Sequence, residues 1–198
     1  MALLKVEPVV LEGRFVRLEP TTLDHAGALA LAADEDTFRY FITGGPATID
    51  EAGIREYIAS KLSNPTVRAF SVYSKELGKF VGMTSYMDIR PEHRGLEIGM
   101  TWYAREARGT RVNPECKLLL LGHAFEVLGC VRVQIKTDGR NKHSQTAIAK
   151  LGAVYEGTLR KHMIFPNGFV RDTVMYSVLP EEWPSVKAGL EARLREYA

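Results

Sequence analysis

The chain has 198 residues, 45% hydrophobic and 25% charged, with a formal net charge of +2. That length and balance suffice for a hydrophobic core without disulfide staples or a structural metal. So weak a charge argues against a nucleic-acid partner, which calls for a concentrated basic stripe.

Arg14 to Glu19 alternates apolar and polar residues, the period of a strand. Thr21-Thr22-Leu23-Asp24 reads as a helix start, continued by alanines to about Ala33. After the break at Gly44-Gly45-Pro46, Thr48 to Leu62 carries an apolar stripe of Ile49, Ala52, Ile54, Tyr57 and Ile58 and predicts a second helix. Val67 to Tyr73, Phe80 to Ile89 and Leu96 to Tyr103 predict a three-strand meander. A helix is expected from Pro114 to Leu128, with Asn113 as N-cap, Glu115 facing the helix dipole and Gly129 as terminator. Val131 to Lys136 predicts a strand, and Asn141 to Leu151 a helix closed by Gly152. Val154 to Ile164 and Phe169 to Leu179 predict a hairpin turning at Pro166-Asn167-Gly168. Pro180 to Tyr197 predicts a terminal amphipathic helix.

This order predicts an α/β fold, an α+β mixed sheet of seven strands, mostly antiparallel, with helices on both faces. No linker divides the chain, so residues 1–198 are expected to form one domain. Met1 to Pro8 lacks the apolar run of a signal peptide, and no segment approaches the ~18 apolar residues of a membrane span. Cys116 and Cys130 lack metal-ligand spacing and read as reduced thiols, as expected of a cytoplasmic protein. Nucleotide-binding loops of the Gly-x-x-x-x-Gly-Lys-Ser/Thr or Gly-x-Gly-x-x-Gly kind are absent.

The stretch Gly129-Cys130-Val131-Arg132-Val133-Gln134-Ile135-Lys136-Thr137-Asp138-Gly139-Arg140-Asn141-Lys142-His143-Ser144 is the most specific part of the sequence. It continues through Ala147 to Ala153 and Glu156-Gly157-Thr158-Leu159-Arg160. In this order and spacing the chain resembles the GNAT superfamily of N-acetyltransferases, and within it the branch that acetylates N-terminal amines of ribosomal proteins. The resemblance runs from about Leu11 to Trp183. It implies acetyl-CoA as co-substrate, no metal, and an amine acceptor that is a protein N-terminus or a small molecule. The family's phosphate loop, Gln/Arg-x-x-Gly-x-Gly/Ala, aligns with Arg108-Gly109-Thr110-Arg111-Val112-Asn113. Arg108 and Gly109 fit, whereas Arg111 and Asn113 stand where small residues are expected. The side chain of Arg111 either blocks the backbone's approach to the pyrophosphate or points outward.

The resemblance also assigns roles. Glu97, on the cofactor-edge strand, is the candidate general base; the alternative is a strand glutamate that is solvated or paired with an arginine. Backbone N–H groups near Met100, Thr101 and Trp102, at a splayed point of that strand, face the developing oxyanion. The tyrosine that many relatives use to protonate the leaving thiolate is replaced by Ile148, which leaves Ser144 as candidate acid or as a first-turn helix serine. Asn141 is expected to bond the pantetheine amide or simply to cap its helix. Tyr40 and Phe41 are expected to contact the acceptor, and Trp102 and Tyr103 either to line the acceptor cleft or to fill the core. A lysine-type amine, with a pKa of about 10.4, is neutral about once in a thousand at pH 7, whereas an α-amine, at about 7.7–8.0, is on the order of 10–20% neutral. A general base therefore matters most for a strongly basic acceptor. A non-catalytic acyl-CoA-binding module with the same fold is the competing expectation, and a monomer and a homodimer are equally compatible with the sequence.

Overall fold

A computed structural model describes residues 3–41 and 44–197. Its strands are β1 (Leu11–Glu12), β2 (Val16–Pro20), β3 (Arg68–Ser74), β4 (Lys79–Arg90), β5 (Gly95–Tyr103), β6 (Arg132–Asp138), β7 (Val154–Ile164) and β8 (Val170–Val178). They form one sheet in the order β1-β2-β3-β4-β5-β6-β8-β7. The β5–β6 pair is parallel and the others are antiparallel. The helices are α1 (Ala26–Ala32), α2 (Glu51–Leu62), α3 (Val112–Gly122), α4 (Lys142–Leu151) and α5 (Trp183–Arg195). The strand beyond the expected seven is β1, whose two residues are too short to show an alternation. No helix among the described residues is long and apolar enough to cross a membrane.

Strand alternation divides the sheet's residues between two faces. Phe70 and Tyr86 lie on one face, and the Tyr86 hydroxyl donates to the Leu120 carbonyl of α3 at 2.6 Å. Ser71 lies on the other, where its Oγ bonds Thr21 and His25 ahead of α1 (3.0 and 2.9 Å). The α3 side is apolar, with Val72, Tyr86, Leu96, Ile98, Val133, Cys116, Leu120 and Leu121 all buried. Burying each large side chain stabilises the fold by about 1.5–3 kcal/mol. Towards β6 and β8 the α1 side is polar although buried, because it carries Glu97, Gln134, Asp138, Thr173 and Arg171.

Helix α3 departs from expectation at both ends. It begins at Val112, so Asn113 and Pro114 lie inside it and Asn113 is not its cap. Thr110 makes the turn that the sequence reading assigned to Asn113. Its hydroxyl donates to the Ala107 carbonyl (2.8 Å) and accepts from the Val112 N–H (3.3 Å). The regular helix stops at Gly122, and a wider π turn, His123–Val127, carries the chain to Gly129 at φ 63°. Glu115 is buried, and its carboxylate accepts from the N–H groups of Arg14, Phe15 and Val16 at 2.8, 2.7 and 2.6 Å. It fastens the start of β2 to α3. The first expected helix is a short 3-10 turn, Leu23–His25, followed by α1, and the second starts at Glu51, capped by the Asp50 carboxylate on the Gly53 N–H (2.8 Å).

Candidate active site

Strands β5 and β6 pair over three residues only, ending at Glu97↔Gln134. Beyond that point β5 runs on to Tyr103 and β6 to Asp138 without pairing to each other. The two strands thus open into a slot with the free edge of β5 along one side. A bulge sits on that edge. Met83 faces Trp102 and Ser85 faces Gly99, so β5 holds one residue more than β4, and Met100 adopts a left-handed φ of 49°. A non-glycine residue held there costs on the order of 1–3 kcal/mol and occurs mainly at functional sites. Thr101 Oγ1 stabilises the bulge from the α3 side, lying 2.8 Å from Thr84 Oγ1 and accepting from Lys117 Nζ at 3.1 Å.

At the end of β5 the chain turns through residues 105–111 into α3. Gly109 takes a φ of 76°, and an added Cβ there meets nothing within 4 Å. Arg111 sits at φ −64°, ψ −13°, a conformation open to any residue, which explains how the loop dispenses with glycine there. Its guanidinium stacks on Phe15 (4.6 Å to the ring centre) and lies 3.6 Å from Glu76 Oε2. Arg108 is also engaged by the protein, donating from Nε to the Tyr103 carbonyl (2.8 Å) and pairing with Asp34 (3.0 Å). Asn113 Oδ1 accepts from the buried Tyr103 hydroxyl (3.2 Å). Among the described residues, the N–H groups of Gly109, Thr110, Arg111 and Asn113 donate to no protein acceptor. Unpaired N–H groups at a helix N-terminus form an anion site. The loop therefore fits a pyrophosphate through its backbone even though two of the expected small residues are missing.

Glu97 is 2% exposed. Its Oε2 lies 2.7 Å from Lys136 Nζ and accepts from Gln134 Nε2 at 3.1 Å. Gln134 also donates to Asp88 (3.0 Å) and accepts from Arg90 (3.0 Å). The partner of Glu97 is thus a lysine on the parallel neighbour strand, not the arginine weighed from sequence. Glu97 Oε1 lies over Gly99, where an added Cβ would sit 2.9 Å from it and 2.5 Å from Met87 Sδ. Glycine at 99 makes room for the carboxylate beside the bulge.

Asn141 caps α4 through Oδ1, which accepts from the Ser144 N–H at 3.0 Å. Among the described residues its Nδ2 and the half-buried Ser144 Oγ have no hydrogen bond to protein. Both sit where α4 follows the end of β6 that has parted from β5. Trp102 is buried and stacks edge-on to Phe38 (5.6 Å), and its Nε1 has no partner among the described residues. Phe41 packs on Phe38 (5.5 Å). Tyr40 lies 5.8 Å from the guanidinium of Arg140, at the end of β6. Phe38 thus links Phe41 to Trp102 and Arg140 carries Tyr40 at the end of β6, whereas Tyr103 points into the protein interior against Asn113.

Several residues of the site escaped the sequence reading. Lys136 pairs with the candidate base. Asp138, 2% exposed, accepts from the N–H, Nε and Nη2 of Arg140 at 2.8–2.9 Å and orders the turn into α4. Lys117 is buried beneath the bulge, and burial pushes its pKa down to about 8. Arg171 is 4% exposed on β8. The one available signal was charge at strand-alternation positions facing inward, which composition alone cannot separate from a solvated face.

The acetyltransferase (GNAT) domain family matches residues 16–154. A solved structure described as a "putative acetyltransferase" from T. thermophilus is 43% identical over 96% of this chain and 99% of that one, with a TM-score of 0.89. A GCN5-related N-acetyltransferase from Brucella melitensis is 31% identical, with a TM-score of 0.90, over 98% of this chain and 88% of that one. The "Putative ribosomal N-acetyltransferase YdaF" of Bacillus subtilis (strain 168) is 33% identical over 110 residues, which are 56% of this chain and 59% of that protein. The ribosomal-protein-S5-alanine acetyltransferase from Vibrio fischeri shares the fold at 19% identity and a TM-score of 0.70. With its parted strands, its bulge and its unpaired helix N-terminus, the chain belongs to the GNAT family of acetyltransferases.

Proposed function

We propose that this chain acts as a cytoplasmic N-acetyltransferase of one domain, as monomer or homodimer, moving an acetyl group directly from acetyl-CoA to a primary amine on a protein N-terminus or a small molecule. The observation that carries this reading is the slot that opens after Glu97↔Gln134, together with the unpaired N–H groups of Gly109, Thr110, Arg111 and Asn113. Acetyl-CoA supplies the activated acetyl thioester. The loop N–H groups hold its pyrophosphate, and the β5 edge and Asn141 Nδ2 align its pantetheine arm.

Glu97 Oε1 takes the proton from the acceptor ammonium or the attacking amine, while Lys136 and Gln134 hold Oε2 in place. An α-amine, already partly neutral at pH 7, asks less of a general base than a lysine-type amine does. N–H groups at the bulge, Met100 to Trp102, face the developing negative charge, typically worth a few kcal/mol per donor. Ser144 Oγ donates to the departing sulfur directly or through a water. No cysteine takes part, because Cys116 and Cys130 are both buried and burial pushes their thiols up to about 12 and about 11.

The test is an acceptor screen that follows thiol release from acetyl-CoA and confirms each product by mass. Turnover without an acetylated-protein burst supports direct transfer. CoA binding without any turnover across N-terminal peptides, polyamines, aminoglycosides and amino acids would overturn the reading.

A further inference from the structure

The polar half of the sheet around the slot carries paired charges and one that is left over. On this face Glu97 pairs with Lys136 (2.7 Å), Asp138 with Arg140 (2.9 Å), and Asp88 with Arg90 (3.5 Å). Strand register sets Arg171 on the same face. Asp138 stands opposite Thr173, and Arg171 precedes Thr173 by two residues in β8. Arg171 is 4% exposed and Thr173 fully buried, yet among the described residues Arg171 Nε and Thr173 Oγ1 have no hydrogen-bond partner. The guanidinium lies within electrostatic reach of Asp138, Glu97 and Arg140, but pairs directly with neither carboxylate.

A buried guanidinium without a direct partner costs several kcal/mol, and an apolar residue of the same size would be more stable there. A buried hydroxyl without a partner adds to that cost. Both lie two residues apart on one strand, on the face that bears the candidate base. Over this end of the sheet Arg140 lies against the rings of Phe169, Phe165 and Tyr40 (3.4, 5.5 and 5.8 Å). An anionic group entering here would find one unmatched positive charge and two unused donors, with the amine-side carboxylate a few residues away.

We propose that Arg171 and Thr173 form the anion-recognising half of the acceptor site, so that the preferred acceptor is an amine bearing a carboxylate. The inference rests on the acetyltransferase reading for the identity of the amine half. The carboxylate belongs either to a free amino acid or to an acidic side chain next to a peptide N-terminus, and Arg171 binds both in the same bidentate way.

The experiment compares acceptors with and without a carboxylate, glycine against glycinamide and Gly-Asp-amide against Gly-Asn-amide, with kcat/KM expressed per neutral amine because a neighbouring carboxylate also raises the amine's pKa. In the wild type at least one carboxylate member should have a kcat/KM about tenfold or more above its neutral partner. The pair that shows the gap identifies the source. Arg171→Gln should bring that ratio close to one, with the KM for acetyl-CoA unchanged, and Arg171→Lys should keep part of it. Equal use of both members by the wild type, or an equal loss on both members in Arg171→Gln, overturns the proposal. If none of the four is acetylated, calorimetry of the same compounds on the protein–CoA complex decides the point separately from catalysis. A carboxylate preference lost in Arg171→Gln supports the subsite, and equal binding of charged and neutral members overturns it. Should Arg171→Gln fail to fold, Arg171→Lys and Thr173→Val carry the same comparison.

Discussion

Replacing Lys117 by methionine should make the protein more stable at neutral pH and less stable at high pH. Lys117 Nζ is buried between α3 and the β5 bulge, and it donates a hydrogen bond to Thr101 Oγ1 (3.1 Å). Burial lowers its pKa from the ordinary 10.5 to about 8. Below pH 8 both folded and unfolded chains hold the proton, and the fold bears the full cost of the buried charge. Between pH 8 and 10.5 the folded chain has released the proton that the unfolded chain still holds, so the cost shrinks as pH rises and is gone above 10.5. The gap between 10.5 and about 8 makes the full cost about 3 kcal/mol. Linkage then fixes the sign: with the unfolded chain holding more protons between pH 8 and 10.5, stability rises with pH across it. Methionine has nearly the same length and no charge, and it gives up a hydrogen bond worth about 1 kcal/mol. At pH 7 Lys117→Met should therefore unfold about 2 kcal/mol above the wild type, and by pH 10.5 about 1 kcal/mol below it. Cys116, whose buried thiol titrates near 12, is common to both proteins and lies above this window. Urea unfolding of both proteins from pH 7 to 10.5 reads the difference. Parallel stability curves over that range would refute the placement of a charged lysine under the bulge.

Glu97→Gln should lower kcat/KM more at low pH, where the acceptor is protonated, than at high pH. A uniform loss at every pH would remove Glu97 as the base. Ser144→Ala should reduce kcat by roughly tenfold to a hundredfold with unchanged affinity for acetyl-CoA; an unaltered rate removes the serine from the mechanism. Glu115→Gln replaces a carboxylate that binds three backbone N–H groups and should cost about 2–3 kcal/mol in denaturant unfolding. A cost under about 0.5 kcal/mol would mean that β2 is held to α3 by its apolar packing alone.

Local rules were legible wherever one residue determines the backbone. Gly152 ends α4 in the left-handed conformation (φ 94°), Gly168 turns the β7–β8 hairpin (φ 81°), and Asn141 caps α4. Alternation in Arg14 to Glu19 and short β-rich stretches between turn signals located seven strands, including the one that carries the bulge. The start of α3 was misread because Asn-Pro is a good cap and first-turn pair in isolation, whereas the hydroxyl of Thr110, three residues earlier, closes the turn. The site's electrostatics were hidden for a different reason. Glu97 meets Lys136 across parallel strands, Glu115 meets backbone about a hundred residues away, and Arg171 joins them from β8. Such partners are set by sheet order, which no spacing along the chain displays.

Amide hydrogen exchange with and without CoA tests, residue by residue, whether the parted β5–β6 edge and the N-terminus of α3 together hold acetyl-CoA. Exchange should slow on CoA addition at Met100–Trp102 and Gly109–Asn113, with β3 and β4 unaffected. CoA binding that leaves both segments unprotected would contradict that placement.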